Sequence, residues 1–174
     1  QSWDIQDMIL PKINSNNYSN ADADNYAIES KGDTIAIAYF GKLDDSVLLK
    51  SFDNGNTWTV TTFLDFPIDG YVRGSGIDFD FDGVEDTCFS TDGTGSLLLD
   101  NNGMAHIFYG NMKYVDGQYS TLYFPSTSGL MYWNENMGSD FYGNNPIKYP
   151  SKWFSSTSTM ITSAKDYNSD SIIN

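Results

Sequence analysis

Between Tyr26 and Leu64 the apolar residues fall in short runs separated by polar punctuation. Tyr26-Ala27-Ile28-Glu29 leads through Lys31-Gly32-Asp33 into Thr34-Ile35-Ala36-Ile37-Ala38-Tyr39-Phe40. Ser46-Val47-Leu48-Leu49-Lys50 and Trp58-Thr59-Val60-Thr61-Thr62-Phe63-Leu64 follow. Runs this short, rich in β-branched and aromatic residues and bounded by Gly, Asp and Asn, predict four consecutive strands joined by tight turns. A second series begins near Ser96: Ser96-Leu97-Leu98-Leu99-Asp100 turns at Asn101-Asn102-Gly103 into Met104-Ala105-His106-Ile107-Phe108-Tyr109. Asn and Gly tolerate the positive φ that a two-residue hairpin turn requires. A shift of 70 residues superposes Ile37 on Ile107 and Tyr39 on Tyr109, so the first hairpin recurs. A further strand, Leu130-Met131-Tyr132-Trp133, follows an insertion rich in Tyr and Gly. Residues 1–25 read as an irregular lead-in, and residues 139–160 carry no assignable pattern.

Composition supports an all-β, loop-rich chain. Of 23 acidic residues 20 are Asp and 3 are Glu, and Asp favours turns and hard-metal loops where Glu favours helix interiors. Aromatic residues at 16% and charged residues at 18% exclude a disordered tail. A net charge of −14, with Arg73 and eight scattered Lys, argues against a nucleic-acid ligand. No apolar run approaches the roughly 20 residues of a membrane span, so no membrane insertion is expected. The single Cys88 excludes an internal disulfide framework and reads as a small buried residue. Gln1 reads as a mature end left after signal removal, and the Asn- and aromatic-rich composition fits an exported bacterial surface protein.

Between the third and fourth predicted strands stands Ser51-Phe52-Asp53-Asn54-Gly55-Asn56-Thr57-Trp58, an S-x-D-x-G-x-T-W pattern. Ser51 and Asp53 can accept hydrogen bonds from the amides of their own turn, Gly55 supplies a backbone angle other residues resist, and Trp58 anchors the outgoing strand. This octapeptide resembles the Asp box, or BNR repeat, of the sialidase-like β-propellers, in which it is a structural turn on the rim away from the catalytic centre. The resemblance implies part of a β-propeller: about two four-stranded antiparallel blades and the start of a third. The lead-in is 1–25, the first blade 26–64, the second 96–160 and the beginning of the third 161–174, the last three lying in a partial propeller over 26–174. Closure needs about four to eight blades, so the chain reads as the N-terminal part of a longer polypeptide. A small self-contained β-sandwich is the other architecture these strands fit.

Asp78-Phe79-Asp80-Phe81-Asp82-Gly83-Val84-Glu85-Asp86 reads D-x-D-x-D-G-x-x-D. Alternate carboxylates of Asp78, Asp80 and Asp82 converge as the loop turns about Gly83, and the Val84 carbonyl and Asp86 carboxylate complete an oxygen cage suited to Ca2+. The spacing is similar to the first half of an EF-hand loop and to the calcium hairpins of integrin-type propellers. Phe89 stands where an EF-hand carries its Glu, and strand-like flanks favour the hairpin version. A solvated Asp-rich turn without metal is the competing reading. Asp166, Asn168, Asp170 and Asn174 repeat the pattern more weakly at an offset of 88 residues, with Ser171 in place of the glycine.

Sialidases hold their substrate with three arginines and use a Tyr–Glu nucleophile pair. Here Arg73 is the one arginine, and Tyr109, Tyr132 and Glu135 have no pairing beyond closeness in sequence. His106, the only histidine, lies in an apolar strand. No catalytic residue is assigned. The function expected is a secreted or cell-surface, calcium-stabilised, non-enzymatic module for structural, adhesive or glycan/protein binding. The alternative is a sialidase-like glycoside hydrolase whose catalytic residues lie in other blades. Tyr114, Tyr119, Tyr123, Phe124, Tyr132, Trp133, Phe141, Tyr142 and Trp153 are candidates for stacking on sugars or anchoring a protein partner, against a role in the blade core. The Asp-rich loops and missing disulfides also resemble large surface proteins of Bacteroidetes-type bacteria exported by a type IX route.

Overall fold

The computed structural model describes residues 8–15, 17–18, 22–78, 81–139 and 158–163. The first sheet is β1 (Tyr26–Lys31), β2 (Thr34–Tyr39), β3 (Ser46–Ser51) and β4 (Thr59–Leu64), paired antiparallel in chain order. The second is β5 (Thr87–Leu99), β6 (Ala105–Asp116), β7 (Thr121–Asn134) and β8 (Thr159–Ser163), again antiparallel in chain order. A 3-10 turn at Glu135–Met137 follows β7. The four strands expected over 26–64 form with bounds within a residue or two of the sequence reading.

The second sheet is longer than the sequence pattern suggests. Its first strand begins at Thr87, not Ser96, because Asp92-Gly93-Thr94 is a bulge inside β5, between the paired residues Thr91 and Gly95, and not a connection. The Tyr- and Gly-rich insertion largely forms the outer halves of β6 and β7, where Tyr114 pairs with Tyr123 and Val115 with Leu122. Thr159–Ser163 pairs with β7, so Ile161 lies on the second sheet as its fourth described strand. Residues 164–174 lie outside the described residues.

Strand alternation sends odd and even positions to opposite faces. Ala36, Ala38, Phe40, Leu48 and Phe63 of the first sheet meet Ala105, Ile107, Tyr109, Met131 and Trp133 of the second in one buried cluster. Phe63 lies at its centre, with ring centroids 5.4 Å from Tyr109, 5.7 Å from Trp133 and 6.1 Å from Phe40. Gly95 is required beneath Phe40, since a Cβ there would stand 2.3 Å from the ring. The opposite face of the first sheet, with Ile37, Tyr39, Val47 and Leu49, is covered by Leu10, Ile13 and Tyr18 of the lead-in. A third cluster joins Leu43, Phe66, Tyr71 and Ile77 to Cys88 and Tyr114 at the extended end of the second sheet. Burial pushes the Cys88 thiol up to about 12, with the Asp116 charge adding to it, so the thiol is inert packing.

Two polar devices fasten these layers. Lys50, on the face of β3 toward the second sheet, donates to Glu135 Oε1 and Oε2 at 3.0 and 2.7 Å. Glu135 Oε2 also accepts the Ala105 amide at 2.6 Å. Asp116 is fully buried and accepts from the Tyr71 hydroxyl at 2.5 Å, the Gly74 amide at 2.6 Å and the Thr121 hydroxyl. It ties the 65–86 connection to the β6–β7 hairpin.

Candidate functional site

The Asp-box turn leaves β3 at Ser51 and enters β4 at Thr59. Ser51 Oγ donates to Asp53 Oδ1 at 2.8 Å and accepts the amides of Gly55 at 2.8 Å and Asp53 at 3.3 Å. Asp53 Oδ1 accepts the Thr57 amide at 2.8 Å, and Oδ2 accepts the Thr57 hydroxyl at 2.7 Å. The Trp58 indole donates to the Gly55 carbonyl at 2.9 Å. Gly55 has φ 87°, the left-handed region that a side chain resists. All five positions of the pattern are therefore used by the turn itself, and Asn54 ties it to Asp33 of the neighbouring hairpin through its amide and side chain.

These bonds, chiefly the Thr57 amide and hydroxyl, hold the Asp53 carboxyl below its ordinary value. A depressed carboxyl contributes stability above its unfolded value of 3.8, and that contribution is lost as pH falls through the lower folded value. Asp53→Ala is accordingly expected to lower the urea midpoint at pH 7. The gap from the parent chain narrows below pH 3.8, which urea titrations at pH 7 and pH 2 measure.

The Asp78–Asp86 loop joins the third core cluster to β5. Asp78 Oδ1 accepts the Asp82 amide at 3.2 Å and Oδ2 the Gly83 amide at 3.0 Å, while Asp82 Oδ1 accepts the Val84 amide at 2.7 Å. Phe81 at φ 60° and Gly83 at φ 85° curl the backbone about the Asp78 carboxylate. Asp86 is anchored through its amide to the Ile77 carbonyl at 2.5 Å. Glu85 turns away, accepting the Gln118 amide at 3.4 Å. Asp80, Asp166, Asn168, Asp170 and Asn174 lie outside the described residues. Among those described, no three His, Cys, Asp or Glu side chains converge closely enough to hold a metal ion. The donor chemistry suits a hard cation nonetheless, because a carboxylate oxygen that accepts one amide keeps a second lone pair.

The residues weighed for catalysis go to separate tasks. Glu135 is engaged by Lys50, and the Tyr109 hydroxyl donates to Ser158 Oγ at 2.9 Å. The Tyr132 hydroxyl accepts from Asn134 at 2.9 Å and lies 2.7 Å from His106 Nδ1. The other ring nitrogen, Nε2, lies 3.7 Å from Asp100 Oδ2. Sequence spacing gave no signal for this Asp100–His106–Tyr132 group, which strand register assembles on the outer face of the second sheet. Tyr114 and Trp133 are fully buried, whereas Tyr119 and Tyr123 are exposed. Phe141, Tyr142 and Trp153 lie outside the described residues. Among the described residues no helix is long and apolar enough to cross a membrane. Comparison with protein-family models, curated proteins and solved structures finds no match.

Proposed function

We propose that the chain is part of a calcium-braced, sialidase-like Asp-box propeller, acting as a non-enzymatic structural, adhesive or glycan/protein-binding module of an exported bacterial surface protein. The observation that carries this reading is the head-to-tail use of sheet faces. Ile37 and Tyr39 face the lead-in, and their counterparts at the 70-residue shift, Ile107 and Tyr109, face the first sheet. Ala36 and Ala38 face the second sheet, and their counterparts His106 and Phe108 lie on its outer face with Leu98, Tyr132 and Ile161. Leu98 and Ile161 are 56% and 52% exposed there.

A sandwich turns equivalent faces inward and leaves polar faces outside. A head-to-tail stack instead repeats one contact and leaves its last face wanting another layer, which rotation can close into a ring. The turn at Ser51–Trp58 serves as a brace at the edge of such a layer, and the Asp78–Asp86 loop takes calcium through carboxylates and the Val84 carbonyl. The export route and surface location rest on composition and resemblance. The test is the native protein's intact mass together with a fluorogenic sialoside assay. A mass well above 19.4 kDa with no turnover is expected. A native mass near 19.4 kDa overturns the propeller segment, and sialoside hydrolysis overturns the non-enzymatic assignment.

A further inference from the structure

We propose that Asn102 is a site of spontaneous deamidation, and that the Asp-box turn shields Asn54 from the same reaction. The chain has two Asn-Gly pairs, Asn54-Gly55 and Asn102-Gly103, and both asparagines are exposed in hairpin turns. A glycine leaves its own amide unhindered, so that nitrogen can reach the side-chain carbonyl of the preceding asparagine. Once it loses its proton to solvent, the nitrogen attacks Asn Cγ and the new N–Cγ bond closes a succinimide. The Cγ–Nδ2 bond breaks, and the side-chain nitrogen takes up a proton and leaves as ammonia. Water then opens the ring at either carbonyl, giving an aspartyl or an isoaspartyl residue. Water is the only co-reactant, and nothing is oxidised or reduced.

The two pairs differ in how the attacking amide is held. Gly55 is buried, and its amide donates to Ser51 Oγ at 2.8 Å. Asn54 is itself fixed, its backbone amide by the Asp33 carbonyl at 3.0 Å and its Nδ2 by Asp33 Oδ1 at 3.1 Å. Attack by Gly55 therefore requires the Ser51 bond to open and the Asn54 side chain to leave Asp33. Gly103 is half-buried, and its amide donates at 3.1 Å to the Asp100 carbonyl, an acceptor shared with Lys31 Nζ. The turn engages Asn102 through its backbone amide, which donates to Asp100 Oδ1 at 2.8 Å. Its side chain has no hydrogen-bond partner among the described residues and is free to meet the Gly103 nitrogen.

The turn that reacts also ties the two layers together. Lys31 of β1 donates to the Asp100 carbonyl at 3.1 Å and to Asn101 Oδ1 at 2.8 Å. Asp100 Oδ1 accepts the Met104 amide at 2.9 Å and so closes the same turn. An isoaspartyl residue at 102 routes the backbone through the former side chain, which lengthens this tight turn by a methylene. It also adds a negative charge to the turn. Deamidation therefore loosens a contact between the sheets as the protein ages. The inference depends neither on calcium nor on the propeller reading.

Ageing the full chain in heavy-oxygen water at mildly alkaline pH, folded and in guanidinium, followed by peptide mapping, tests the proposal. The folded chain is expected to gain labelled aspartyl and isoaspartyl residues at 102 well ahead of 54. In guanidinium, where neither turn persists, the two sites should react at similar rates. Ser51→Ala should speed the reaction at 54 by about two- to tenfold, the worth of one hydrogen bond, and leave 102 unchanged. Absence of product at 102, reaction at 54 as fast as at 102 in the folded chain, or an unchanged rate at 54 in Ser51→Ala overturns the proposal. Should Ser51→Ala fail to fold, the parent chain decides, and an equal ratio of the two rates folded and in guanidinium overturns it. The isoaspartyl form, separated by chromatography, should melt below the parent, and an equal melting temperature overturns its effect on the tie.

Discussion

Phe63→Ala is expected to lower the free energy of unfolding by about 3–5 kcal/mol, the range for emptying a buried aromatic site. Phe63 is fully buried and touches Phe40 within its own sheet and Tyr109 and Trp133 across the interface. Its removal therefore opens a cavity between two layers. Rigid strands on both sides limit collapse, which puts the cost toward the upper end. Domains of this kind have about 5–15 kcal/mol in total, so the variant stands near the edge of folding. Urea unfolding followed by tryptophan fluorescence measures the change. A loss under about 1 kcal/mol would mean that the two sheets do not share this core.

Glu135→Ala is the second large effect, at about 3 kcal/mol. Lys50 is 6% exposed at its side chain and Glu135 30%, so the substitution strands a buried ammonium while a partly wetted carboxylate is lost. The Ala105 amide loses its acceptor in the same step. The solvent reaching Glu135 sets the estimate at the low end of the cost of breaking a buried pair. Lys50→Met with Glu135→Leu together should recover most of the loss, since no charge is then left unpaired. Thermal unfolding of the single and double variants distinguishes this from simple loss of packing, in which the double variant would be no better than the single.

The four strands over 26–64 were legible because each apolar run is short and each turn carries Gly, Asp or Asn. The Asp-box bonds were legible for a related reason: Ser51, Asp53 and Thr57 act on amides within four residues, which sequence spacing alone can place. The extent of the second sheet was not. Asp92-Gly93-Thr94 has the composition of a loop, and only the pairing of Thr91 and Gly95 with β6 makes it a bulge within a strand. The Lys50–Glu135 latch was hidden because its partners are 85 residues apart and meet through sheet stacking. Local chemistry was readable; what required two layers to meet was not.

Calcium bracing of the Asp78–Asp86 loop is the central functional claim, and thermal unfolding of chelator-stripped protein with and without calcium tests it most directly. With calcium about 100-fold above its dissociation constant, the melting temperature is expected to rise by about 5–10 °C. The rise should be lost in Asp80→Asn with Asp82→Asn, which keeps an acceptor at position 82 for the Val84 amide and removes two charges. An unchanged melting temperature on chelation, or an equal rise in that double variant, would contradict it.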